Sequence, residues 1–146
     1  MKIPVSVLVV IYTTSNEVLL IERADHHGYW QSVTGSLNQI DEPLHQAAAR
    51  EVLEETGIDT RLLSDKALQS MNHHIQYEIY PEWRYRYPDG VTQNTEHWFK
   101  LELPSKMPIK LSPREHISYQ WLDFQSAAKL CFSPSNQEAI LSLNSD

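Results

Sequence analysis

The chain has 146 residues, enough for one domain with a real hydrophobic core and too few for a comfortable second. Apolar residues at 41% and charged residues at 21% are ordinary for a globular protein and argue against long disorder. Twelve basic against nineteen acidic residues give a formal net charge of -7, which speaks against a nucleic-acid partner while leaving room for a small phosphorylated ligand met by metal ions or a few placed cations.

Residues 1–4 carry one positive charge and no small-residue cleavage site follows, so no signal peptide is expected. Residues 5–12, rich in Val and Ile, read as a buried strand too short for a membrane span, and no membrane partner is expected. A turn over 13–17 and a strand over 18–22 complete a hairpin. A polar loop over 25–28 precedes a short strand over 30–34. Residues 42–56 read as helix, with Pro43 in the first turn, three alanines inside and Gly57 to end it. Strands are expected over 67–80, 97–103 and 118–122, with a turn at Pro88-Asp89-Gly90. Helices are expected over 124–130 and 135–143, a serine before the second acting as N-cap. No repeat or linker interrupts residues 1–146, so they form one α+β layered unit. The single cysteine, Cys131, reads as a packing residue, and a reducing cytoplasm is the expected location.

At about 100° per residue, Glu51, Glu54 and Glu55 share one helical arc with Leu44, Ala47 and Ala48. Carboxylates on the packing side are unusual, since a solvated acidic face lies opposite the apolar one. Clustered carboxylates repel, and burial raises the cost of keeping them ionised. A divalent cation removes both problems, and oxygen-only ligands point to Mg²⁺, with Mn²⁺ as a substitute, rather than to zinc. The plain alternative is a solvated helix face with Arg50 as partner. Periodicity alone names no reaction.

The stretch from Gly35 to Glu42, followed by Arg50-Glu51-Val52-Leu53-Glu54-Glu55-Thr56-Gly57-Ile58, resembles the Nudix box. Seven residues separate Glu42 from Arg50, as in that pattern. Six rather than five separate Gly35 from Glu42, which leaves open whether Glu42 or Asp41 takes the family position. The resemblance implies a Nudix fold, a mixed β-sheet sandwiched between α-helices, that hydrolyses an X–P–O–P linkage. It also implies Glu51 and Glu55 as principal metal ligands, Glu54 as a further ligand or the base, and Arg50 orienting them. A narrower similarity, carried by residues 4–12, 30–36, 84–87, 90–96 and 121–123, is to bacterial dihydroneopterin triphosphate pyrophosphatases. It implies substrate contacts at Lys2, Arg23, Thr34, Glu115 and Ser133, with Glu115 also near the metals or the attacking water.

Between Tyr77 and Phe99 the aromatics are dense, and they either stack a heteroaromatic ring or fill a core. If residues 84–87 form a strand, Arg84 and Arg86 share a face that binds triphosphate, binds a partner or is solvated. His26-His27 and His73-His74 read as polar surface rather than a metal site, since neighbours on a strand face opposite ways. Three readings of function follow: a dihydroneopterin triphosphate pyrophosphohydrolase acting as monomer or homodimer, a housecleaning (d)NTP pyrophosphatase, and a non-catalytic nucleotide-binding Nudix domain.

Overall fold

Strand β1 (Val5–Thr13) is buried on both sides, with Val7, Val9 and Ile11 on one face and Leu8 and Val10 on the other. In a computed structural model, which describes residues 1–144, it lies within a seven-stranded mixed sheet. The other strands are β2 (Glu17–Arg23), β3 (Trp30–Gln31), β4 (Val33–Ser36), β5 (Leu68–Glu78), β6 (Gln93–Leu103) and β7 (His116–Asp123). β1 runs parallel to β6 from Val5↔Thr95 to Thr13↔Leu103, and the remaining pairings are antiparallel.

Helix α1 (Leu44–Thr56) buries Ala47, Ala48 and Val52 on the face that carries Val7, Val9 and Ile11. On the opposite face, α2 (Phe124–Leu130) and α3 (Pro134–Asn144) pack Phe124, Ala127, Ala139 and Ile140 against Leu8, Val10, Val18 and Leu20. The sheet is thus sandwiched between helices, as expected. Gly57 ends α1 as expected: its φ of 78° is the left-handed conformation, and its N–H donates to Leu53 O at 3.0 Å. Ser133 stands before α3, its hydroxyl accepting the Asn136 N–H at 3.4 Å. Among the described residues no helix is long and apolar enough to cross a membrane.

Several expectations are corrected. The β1–β2 hairpin pairs only at Tyr12↔Val18, because β4 takes the rest of the β1 edge and β3 the end of β2. The strand expected over 30–34 therefore splits as the chain crosses from β2 to β1 at Ser32. Asn136 pins that crossing, accepting Ser32 N–H at 2.8 Å and donating to Ser32 Oγ at 3.0 Å. β6 starts at Gln93 rather than 97, its first turn inward being the polar Asn94 and Glu96. Residues Pro81–Arg86 form a 3-10 helix, not a strand, so Arg84 and Arg86 do not share a strand face. α1 begins at Leu44, with Pro43 just outside it at φ −59°, ψ 136°. Cys131 is buried, and burial pushes its thiol up to about 12, which makes it an inert packing group.

Candidate functional site

Helix α1 presents Glu51 and Glu55 toward the sheet, where they are only 9% and 2% exposed. The Glu54 side chain is 53% exposed. The expectation of three carboxylates on the packing arc is therefore corrected to two. At about 100° per residue Glu51 lies roughly 40° from Glu55, whereas Glu54 lies about 100° from Glu55 and about 60° from Glu51, at the rim.

Burial is the main force raising the Glu55 carboxyl well above the carboxylate range, and a hydrogen bond and the charge of Glu51 add to it, with Glu115 and Glu54 contributing. Burial likewise raises Glu51, against the pull of Glu55 and Arg50. Glu55 Oε2 has no hydrogen-bond partner. Its Oε1 lies 3.5 Å from His116 Nε2, but burial and the charge of Arg23 push His116 down to about 4, so it faces Glu55 as a neutral ring. Two adjacent buried carboxylates with an orphaned oxygen fit a divalent cation. No three His, Cys, Asp or Glu side chains among the described residues converge into a cage. A cation held by two carboxylates has the rest of its shell open to water and phosphate oxygens.

Arg50 organises the approach to this pair. Its Nη1 donates to Glu51 Oε1 at 2.8 Å and to Glu54 Oε2 at 3.4 Å. Its Nε and Nη2 grip both oxygens of Glu42 at 3.0 and 3.1 Å, and Nη2 also reaches Ser36 O at 3.1 Å. Glu42 Oε1 accepts the Asn38 N–H at 2.8 Å. The loop with the extra residue thus delivers Glu42, not the exposed Asp41, to the arginine. A Cβ on Gly35 would collide with the Glu51 carboxylate, so glycine leaves room for that carboxylate against β4.

A cavity of about 1070 Å³ opens beside the carboxylates, and Lys2, Arg23, Thr34, Glu115 and Ser133 all line it together with Glu51 and Glu55. Arg23 Nη1 donates to Gln31 Oε1 at 3.4 Å, and Gln31 Nε2 donates to Thr34 Oγ1 at 3.3 Å. Burial lowers the Lys2 ammonium, and the charges of Arg86 and Arg23 lower it further. Ser133 Oγ lies 3.0 Å from Ser135 Oγ, which donates to the buried Glu96 at 3.1 Å. Aromatic rings also line the cavity, those of Tyr77, Tyr80, Trp83 and Phe132. Tyr85, by contrast, is exposed, and Trp98 is buried beneath, donating to Glu96 at 3.1 Å.

Sequence reasoning did not single out Asp25, Asn94, Glu96, Arg114 or His116, all of which line the cavity. The alternation of Asn94, Glu96 and Trp98 was the available signal for an inward polar strand face. His26 stacks on Tyr29, His73 tilts against Trp98 and His74 against His97, so these histidines pack rather than converge.

The sequence profile of the NUDIX domain matches residues 2–143. The chain is similar to the dihydroneopterin triphosphate diphosphatase of Escherichia coli strain K12, 45% identical over 140 residues that cover 95% of this chain and 91% of that one. The enzyme of the same name from Haemophilus influenzae is 40% identical over 136 residues, covering 92% and 84%. Among solved structures, that of the E. coli dihydroneopterin triphosphate pyrophosphohydrolase superposes with a TM-score of 0.88 at 44% identity, over 97% of this chain and 94% of that chain.

Proposed function

The chain belongs to the Nudix family, and on that premise we propose that it hydrolyses dihydroneopterin triphosphate to dihydroneopterin monophosphate and pyrophosphate, as part of folate biosynthesis. The observation that carries the chemistry is the buried Glu51–Glu55 pair with its orphaned oxygen, opening on a cavity that also holds cations and aromatic rings. Glu51 and Glu55 would hold Mg²⁺, or Mn²⁺ in its place, with Glu54 at the rim as a further ligand. The ion would neutralise phosphate charge and lower the pKa of an adjacent water.

The chain's own groups do the rest. Lys2 and Arg23 bind phosphate oxygens, and Thr34 and Ser133 offer hydroxyls to the substrate. Arg50 holds Glu51 and Glu54 in place through charge-assisted hydrogen bonds. Glu54 or Glu115 takes the proton of the water that attacks the α-phosphorus, and the bond to the bridging oxygen breaks to release pyrophosphate. The aromatic side chains receive the pterin ring. On this reading residues 1–146 are one domain, cytoplasmic, working as a monomer or homodimer on a small molecule.

Turnover of dihydroneopterin triphosphate and the four common dNTPs, measured side by side, tests the assignment. The expected result is a kcat/KM at least tenfold higher for the pterin. Comparable or better efficiency on any dNTP would make the chain a housecleaning pyrophosphatase, and binding without turnover would make it a non-catalytic nucleotide-binding domain.

A further inference from the structure

We propose that Arg86 is a third cation of the triphosphate grip, and that Asp25 is the positioning residue that holds Arg86 and Arg23 toward the cavity. This rests on the function proposed above and deepens it.

The 3-10 helix of residues Pro81–Arg86 sends its two late arginines to different places. Arg84 is tied back, its Nε donating to Ile79 O at 3.0 Å while its guanidinium lies 3.9 Å from the exposed Glu78. Arg86 lines the cavity with Lys2 and Arg23. Asp25 joins the two arginines. Its Oδ1 and Oδ2 accept Arg23 Nε and Nη2, both at 2.7 Å, and Oδ2 also accepts Arg86 Nη2 at 3.4 Å. The Trp83 ring stands beside both guanidinium groups, 4.6 Å from Arg23 Cζ and 5.9 Å from Arg86 Cζ. The backbone adds a fourth tie, Lys2 N–H to Arg86 O at 2.7 Å, which fixes the segments bearing Lys2 and Arg86 to each other.

Two arginines therefore share one carboxylate, and Lys2 lines the same cavity. Burial first, and then the charges of Arg86 and Arg23, disfavour the Lys2 ammonium, while Glu51 and Glu115 favour it. A phosphate anion entering beside the two arginines and Lys2 would relieve that repulsion. Arg86 also spends its Nε on Tyr85 Oη at 3.3 Å, which leaves Nη1 without a protein partner among the described residues. A planar guanidinium pre-aligned on an aromatic ring, with donors to spare, suits phosphate oxygens better than a point-charge ammonium.

Titration calorimetry with inorganic tripolyphosphate and Mg²⁺, and separately with unphosphorylated dihydroneopterin, tests this on the full chain. Arg86→Gln should weaken tripolyphosphate binding by roughly 10- to 100-fold, the scale of a lost charge-assisted contact, and leave dihydroneopterin binding unchanged. Asp25→Asn should weaken it by several-fold, raise KM more than it lowers kcat, and be largely rescued in Asp25→Glu. Wild-type tripolyphosphate affinity in Arg86→Gln would overturn the proposal, as would equal loss of both ligands, which marks general damage. The tripolyphosphate arm reads the grip independently of turnover. A wild-type chain that binds it through Arg86 yet does not hydrolyse the pterin triphosphate would refute the proposed substrate and leave the grip standing.

Discussion

Replacing Gly35 with alanine adds a single methyl where the structure has no space for one. The ideal Cβ falls on the Glu51 carboxylate, touching its carbon and both oxygens. Gly35 has no positive φ, so alanine carries no backbone penalty and the whole effect is steric. To restore a normal contact, Glu51 must retreat by about 1 Å, a displacement that elsewhere costs about 10²-fold in rate when it falls on catalytic groups. Its 2.8 Å hydrogen bond to Arg50 moves with it. Overpacking of this kind costs about 1–3 kcal/mol. For a chain of this size that lowers Tm by roughly 3 °C per kcal/mol. Steady-state assays of pyrophosphate release across a Mg²⁺ titration, with a thermal melt, read both effects. The expected outcome is a kcat reduced by about 10²-fold and a Mg²⁺ requirement shifted upward, with the chain still folded. A Gly35→Ala enzyme with wild-type kcat and wild-type Mg²⁺ dependence would refute the claim that this glycine exists to seat Glu51.

Other consequences follow from the same geometry. Glu55→Gln removes a buried carboxylate charge whose Oε2 has no partner, so the metal-free variant should melt at or above the wild-type temperature. Saturating Mg²⁺ should raise the wild-type Tm, by about 2.7 kcal/mol of stability at a hundredfold excess over Kd, and should not raise that of the variant. Arg50→Lys cannot reproduce the fork onto Glu42, so stability should fall by about 1–3 kcal/mol in urea unfolding and kcat should fall with it. An unchanged urea midpoint would contradict the role given to that fork. Asn136→Ala orphans the buried Ser32 N–H and should cost about 2–3 kcal/mol by the same measurement. A loss below about 0.5 kcal/mol would mean that the crossing from β3 to β4 is held by something else.

What could be read from the sequence was local. The end of α1 and the inward turn of Glu51 and Glu55 follow from helical period, from Gly57 and from the alanines, all neighbours in the chain, whereas its start falls two residues later than expected. The layered order of strands and helices followed for the same reason. Glu54 was misplaced because an arc judged from spacing is broader than the face that the sheet covers. The grip of Arg50 on Glu42 depends on how a loop with one extra residue closes, and no periodicity reports that. Arg84 and Arg86 were weighed together as one strand face, whereas the Pro81–Arg86 segment coils and its arginines part. The start of β6 was hidden because Asn94 and Glu96 are polar residues that face inward, the reverse of the usual pattern. The splay of β1 from β2 is nonlocal, since β4, some twenty residues on, takes the edge that a hairpin would have used.

The central claim is that Glu51 and Glu55 hold a divalent cation for phosphoanhydride cleavage. Pyrophosphate release from dihydroneopterin triphosphate, followed across a Mg²⁺ titration in wild type and Glu55→Gln, tests it most directly. Wild type is expected to show no turnover without metal and saturable activation with it, and the variant a loss of about 10²- to 10³-fold, the range for removing a group that stabilises transition-state charge. Turnover in the presence of chelator, or a Glu55→Gln enzyme as fast as wild type at any Mg²⁺ concentration, would contradict it.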